Sequence, residues 1–240
     1  MTWPRIRILV TGFGPFPGVP FNASSVLVEQ LAEAVPRSVP RAMIVPAILP
    51  TDWRLAGETA RRVAQTLEPD VILHFGVSRR CTGFEVETRA RNNAAPFLDQ
   101  AGLAPPGRTL WRGAPPMLKA TLPAAMLVQR LRLAGLPAVV SSDAGRYLCN
   151  AVLYETLLRA RERKPAPLVG FIHIPALPAP SSNGSFGDAV RAWRELRAGA
   201  EIIVRATVTL AMAARRRGLE RDEKKWVPVF RSSSRPKHKT

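Results

Sequence analysis

The sequence predicts an α/β fold: a single three-layer α/β/α domain around a mostly parallel, twisted central sheet. Three observations point there. Short apolar runs alternate with amphipathic stretches, a strand–helix–strand rhythm that favours parallel strands covered by helices on both sides. Runs such as Asp70–Phe75 (DVILHF) and Leu168–Ile174 (LVGFIHI) are apolar almost throughout, as strands buried on both faces are. Finally, 240 residues with 46% hydrophobic and 22% charged side chains suffice for one sizeable core.

In chain order, Arg7–Thr11 (RILVT) reads as a buried first strand entering the glycine- and proline-shaped loop GFGPFPGVPFNAS. Phe13, Phe16 and Phe21 in that loop are candidates for walling a small apolar pocket, or for plugging the core beneath it. Asn22 or Ser24 can cap the next helix, whose apolar positions Val26, Leu27, Leu31 and Val35 stop at Pro36. The loop lacks both GxGxxG and a phosphate-loop lysine, so no nucleotide is implied. Ala42–Leu49 is a second strand; Thr51 or Asp52 can cap a helix to about Leu67, and Asp70–Phe75 is a third strand. Thr82–Ala90 alternates as a short strand or ribbon, with Phe84, Val86 and Thr88 opposite Glu85, Glu87 and Arg89. From Asn92 to about Met117, proline and glycine imply irregular structure. A helix over Pro123–Leu133, a strand over Pro137–Val140, a helix bearing Cys149 and the strand Leu168–Ile174 follow. A long helix is expected from Phe186 to about Ala214, with Gly199 as a candidate break. These elements give a domain over residues 1–214 and a basic tail over 215–240, in which Trp226, Val229 and Phe230 hint at some packing back.

The net charge of +17 raises the question of nucleic acid. Residues 215–240 hold ten Lys/Arg against three acids, and the rest of the excess is spread thinly along an arginine-, alanine- and proline-rich chain. No basic face is implied, and nucleic acid is not the expected partner. Two cysteines do not make a secreted disulfide framework and suit a reducing compartment. No 18-residue apolar run or signal-type leader appears, so a soluble, cytoplasmic protein without membrane association is expected.

The chemistry centres on Ser141–Tyr154, SSDAGRYLCNAVLY. Cys149 falls in the first turns of a helix, where the positive helix end and free N–H groups favour a thiolate over a thiol. The plainer alternative is a small buried hydrophobe. A nucleophilic cysteine needs a base and a group to orient that base. Of three histidines, His238 is in the tail and His74 is inside a strand, where a packed, hydrogen-bonded role is expected. His173, at the carboxyl end of its strand, is the strongest base candidate. Glu85, Glu87 and Asp143 remain open as the third member. Cys81 follows two arginines with no base nearby. The cysteines lie 68 residues apart and no HExxH or GxSxG occurs, which argues against zinc and serine-hydrolase chemistry.

Four separated segments resemble the pyroglutamyl-peptidase I (pyrrolidone-carboxylate peptidase) family of cysteine peptidases. VTGFGPFPGVPFNAS is similar to its opening motif, and HFGVS followed by Glu87, Ala90 and Asn92 to its glutamate segment. SSDAGRYLCN is similar to its nucleophile motif, and GFIHIP to its histidine motif. They occur in family order, with 62 residues from Glu87 to Cys149 and 24 more to His173. The resemblance spans roughly residues 6–210 and implies a phosphorylase/hydrolase-like fold. It also implies Cys149 as attacking sulfur, His173 as base and then acid, and Glu87 rather than Glu85 as orienting carboxylate. Phe13, Phe16 and Val77 would contact the substrate. The implied reaction releases an N-terminal pyroglutamyl residue from a peptide through an acyl-enzyme, with no cofactor or metal, in a homodimer or homotetramer. The sequence departs from the family pattern at Val77, where many bacterial members have glutamine, and at Arg79–Arg80–Cys81. It also lacks an arginine before a P-D-N segment, with Pro96 or Phe97 in its place. A divergent amide hydrolase and a non-catalytic basic binding protein are the alternative readings.

Overall fold

The structure, a computed structural model, describes residues 5–16, 18–177 and 186–225. The strands are β1 (Ile6–Phe13), β2 (Ala42–Leu49), β3 (Val71–Ser78), β4 (Phe84–Glu87), β5 (Arg89–Arg91), β6 (Met117–Lys119), β7 (Ala138–Ser141) and β8 (Leu168–Pro175). The helices are α1 (Ala23–Ser38), α2 (Leu55–Leu67), α3 (Ala124–Leu133), α4 (Leu148–Ala160) and α5 (Phe186–Lys225). Six strands form the central sheet in the order β2-β1-β3-β8-β4-β7; β5 and β6 pair in a separate ribbon. All pairings in the sheet are parallel except β4 with β8. This is the expected three-layer α/β/α domain: α1, α3 and α5 pack on one face, α2 and α4 on the other.

Alternation along each strand divides two apolar clusters between the faces. Leu73, Phe75, Ile172 and Ile174 join the α1/α3/α5 side, and Ile72, Val169 and Phe171 the α2/α4 side. His74 and His173 share the parity of Ile72 and Phe171, so both sit beneath α4.

Local signals behave as their chemistry requires. The Asn22 side chain accepts from Ser24 N and caps α1. Asp52 Oδ1 accepts from the N–H groups of Arg54 and Leu55 at 2.7 and 2.8 Å, satisfying the start of α2.

Four expectations change. The strand expected over Thr82–Ala90 splits at Thr88: β4 joins the main sheet, whereas β5 leaves it to pair with β6. Thr88 itself bonds through both N–H and Oγ1 to Ser141 O. α1 continues past Pro36 to Ser38. α5 is not broken at Gly199, where the missing Cβ makes room instead: an added one would lie 2.3 Å from the Phe84 ring. α5 also passes Ala214 and runs to Lys225. Arg215, the first residue of the expected tail, makes a two-pronged ion pair with Asp70 at the start of β3. Trp226, Val229 and Phe230 lie outside the described residues. Among those described, no helix is long and apolar enough to cross a membrane.

Candidate active site

The carboxyl ends of β1, β3 and β8 and the first turn of α4 meet around one cavity of about 180 Å³. Its lining includes Phe13, Phe16, Thr51, Val77, Tyr147, Cys149 and His173. β3 and β8 pair so that Gly76 lies opposite His173. That glycine is required by close approach: an added Cβ would sit 2.6 Å from Phe171 Cζ and 3.2 Å from Cys149 Sγ. Antiparallel pairing sets Glu85 opposite His173, and Glu87, two residues on, shares its face.

The result is a chain of side chains. Glu87 is fully buried, and its Oε1 accepts a 2.8 Å hydrogen bond from His173 Nδ1. An ionised carboxylate only accepts, so the Nδ1 proton is fixed on the ring. Cys149 and His173 line the same cavity, and the thiol lies near enough to the imidazole to act on its titration. Burial alone would hold the His173 imidazole neutral, but its polar and charge interactions with Cys149 and Glu87 win and raise its pKa to about 10. At neutral pH the ring therefore favours the imidazolium form.

Cys149 is the second residue of α4 and is half-buried. The preceding Tyr147 is extended and offers no side-chain cap, so the N–H groups of the first turn are left without a side-chain acceptor. Anions are favoured at such a helix end. Asn150 anchors this turn: its Oδ1 accepts from Arg91 N, and its Nδ2 donates to the carbonyls of Arg91 and Asn93.

Cys81 lies close by in a different setting. It is 5% exposed, and its S–H donates to Gly83 O at 2.6 Å, with the backbone carbonyl of His173 at 3.6 Å; no contact with the imidazole ring is among its hydrogen bonds. Burial pushes this thiol up to about 11. His74 has the packed role expected of it. It is fully buried, with Nδ1 at 2.7 Å from Thr11 Oγ1 and Nε2 at 3.1 Å from Thr156 Oγ1.

The structure brings Cys149, His173, Glu87, Phe13, Phe16 and Val77 to one place, although Val77 also packs in the α1/α3/α5 core. It separates Phe21, which stacks edge-on against Trp193 instead of walling the cavity. The sequence reading missed Tyr147 and Thr51 as cavity residues. The signal for Tyr147 is its place two residues before the cysteine, at the start of α4. Glu85, Glu87 and His173 also bring three ligand atoms within 4.8 Å of one another. A cation there would compete with the Glu87–His173 hydrogen bond.

A cysteine at a helix start, an imidazole beside it and a buried carboxylate behind that, at the strand ends of an α/β/α sandwich, are the equipment of a cysteine peptidase. The chain belongs to the pyroglutamyl peptidase family, whose sequence model matches residues 6–190. It is 35% identical to the pyrrolidone-carboxylate peptidase of Levilactobacillus brevis over 175 residues, 72% of this chain and 83% of that one. Pyrrolidone-carboxylate peptidase 1 of Ralstonia nicotianae is 34% identical over 202 residues, 84% of this chain and 92% of the relative. The crystal structure of Bacillus amyloliquefaciens pyroglutamyl peptidase I matches with a TM-score of 0.73 at 29% identity, covering 87% of this chain and 98% of that one.

Proposed function

We propose that this chain removes an N-terminal pyroglutamyl residue from peptides, with Cys149 as nucleophile, His173 as base and acid, and Glu87 as the group that orients His173. The observation that carries the reading is the continuous Glu87–His173–Cys149 contact ending at a cavity walled by Phe13, Phe16 and Tyr147. Flat aromatic and aliphatic walls suit a small planar lactam ring, and Val77 closes one side.

The thiol proton rests on His173, and the sulfur attacks the carbonyl carbon that joins the ring residue to the rest of the peptide. The carbonyl oxygen becomes an oxyanion, met by N–H groups of the first turn of α4. The imidazolium then gives its proton to the departing nitrogen, the C–N bond breaks, and the shortened peptide leaves a thioester on Cys149. Water attacks the thioester while His173 takes its proton; pyroglutamate departs and the thiol is restored. Throughout, Glu87 holds the Nδ1 proton and balances the charge on the ring. No step requires a metal or cofactor.

The two cysteines give the test. On a pyroglutamyl amide reporter, Cys149→Ala is expected to lose activity by about 10⁴-fold or more, as when a covalent nucleophile is removed. Cys81→Ala keeps turnover within the same order of magnitude and shows its cost in thermal stability instead. Full activity in Cys149→Ala, or loss confined to Cys81→Ala, would reverse the assignment. The same reading takes residues 1–214 as the catalytic domain and 215–240 as a basic appendage, acting in the cytoplasm as a homodimer or homotetramer without nucleic acid. Sedimentation of the full chain tests its oligomeric part.

A further inference from the structure

The segment from Ala94 to Leu103 is tied as a strap to Thr51 and Tyr147 of the cavity wall, and it is held unusually firmly for a stretch without helix or strand. Its anchor is Asp99, 1% exposed, whose Oδ2 accepts from Trp53 N at 3.1 Å and whose Oδ1 accepts from the N–H groups of Ala101 and Leu103, both at 2.9 Å. Burial opposes the charged form of Asp99, but the N–H groups of Leu103, Trp53 and Ala101 hold its carboxyl below the usual range. Gln100 N donates to Thr51 O at 2.9 Å. Two further bonds fix the residues before the anchor by their carbonyls: Trp53 Nε1 donates to Phe97 O at 2.9 Å, and Tyr147 Oη to Leu98 O at 3.1 Å.

While the backbone of Phe97 and Leu98 is pinned inward, their side chains stay out. Phe97 is 58% exposed and Leu98 56%. Scattered surface apolar residues need no explanation, but neighbouring ones on a rigid support beside a cavity do. The Phe97 ring stands edge-on to Tyr147, at 6.3 Å, and Tyr147 is itself part of the cavity wall. Trp53 meets the other part of the same tyrosine at 5.2 Å. The apolar surface is therefore continuous from inside the cavity, over Tyr147, onto the strap.

We propose that Phe97 and Leu98 form a wall for the side chain immediately beyond the cleaved bond, so that peptides with an apolar or aromatic residue there are preferred. This rests on the reading that the ring residue fills the cavity, because the next residue must then emerge over its rim. Among the described residues that line the cavity there is no lysine or arginine. A support fixed in advance loses little conformational freedom when it is covered.

The experiment compares pyroglutamyl-Phe, -Leu, -Gly and -Glu amides, following the released amine, in the wild type, Phe97→Ser/Leu98→Ser and Phe97→Tyr. The expected wild-type kcat/KM for Phe and Leu exceeds that for Gly and Glu by about tenfold, the scale of an aromatic contact. The ratio falls toward unity in the double serine variant and survives in Phe97→Tyr; a merely structural role would lower all four substrates together. Equal wild-type rates, or an unchanged ratio in the variant, overturn the proposal. So does a variant that dissociates an oligomer without moving the ratio, because the strap would then be a surface between copies. A second measurement separates this proposal from the cleavage reading: titration with phenylalaninamide and glycinamide, followed by tryptophan fluorescence. A saturable response to phenylalaninamide alone, lost in the double serine variant, sustains the wall even if no pyroglutamyl peptide is cleaved. No such response overturns it.

Discussion

His74 and His173 lie on adjacent strands, on the same face of the sheet and beneath the same helix, with the ring of Phe171 between them. Their titration is nevertheless driven in opposite directions. Among the described residues, His74 has the hydroxyls of Thr11 and Thr156 as hydrogen-bond partners, and burial lowers its pKa to about 3. His173 is also buried, but a carboxylate and a thiol raise its pKa to about 10. Depth in the protein is thus not what separates the two histidines; the charge their partners can carry is. The cysteines repeat the lesson, with Cys81 turned to backbone carbonyls and Cys149 to an imidazole.

The contrast breaks most sharply by removing each ring. His173→Ala is expected to lower kcat on a pyroglutamyl amide by about 10³-fold or more while leaving the thermal midpoint close to wild type. His74→Ala should do the reverse, costing stability through a cavity and two hydroxyls left without a partner. Removing the charge without the shape is next: Glu87→Gln keeps a hydrogen-bond partner for Nδ1 but should lower kcat by about 10²-fold or more. It should also bring the His173 titration, followed by NMR, down from its raised value; an unmoved titration would show that Glu87 does not set the difference.

How much of this was legible beforehand follows from where the information resides. Apolar runs named the strands, and the motif around Cys149 named the nucleophile candidate, because both are local. Choosing Glu87 over Glu85 and Asp143 was beyond residue types alone, since it depends on β4 running against β8. The family resemblance supplied that choice. The split at Thr88 and the strap were hidden for a similar reason. Both are made by long-range bonds, from Thr88 to Ser141 and from Asp99 to Trp53, that leave no periodic trace.

Smaller effects sharpen the comparison. Gly76→Ala should displace Phe171, the ring between the two histidines, together with Cys149. A cost of about 1–3 kcal/mol is expected from overpacking, with a fall in kcat, read by urea denaturation and by turnover. Neither changing would mean the site yields freely. Last comes pH. The folded pKa of His74 lies below its unfolded value of 6.5, so unfolding takes up a proton between these values and stability is lost as pH falls from about 6.5 toward 3. The slope reaches about 1.4 kcal/mol per pH unit and should disappear in His74→Gln. His173 has the opposite sign: what it contributes is present below pH 6.5 and is lost as pH rises through about 10.

The two-residue alternation of β4 has a consequence for how such a chain tolerates change. Phe84 and Val86 are packed in the α1/α3/α5 core, while Glu85 and Glu87 point to the opposite face of the sheet, so a slip of one position would put acids into oil and turn Glu87 away from His173. The register of this one short strand is therefore held by the same alternation that seats the carboxylate, and a shifted β4 would cost the core and the imidazole bond at once.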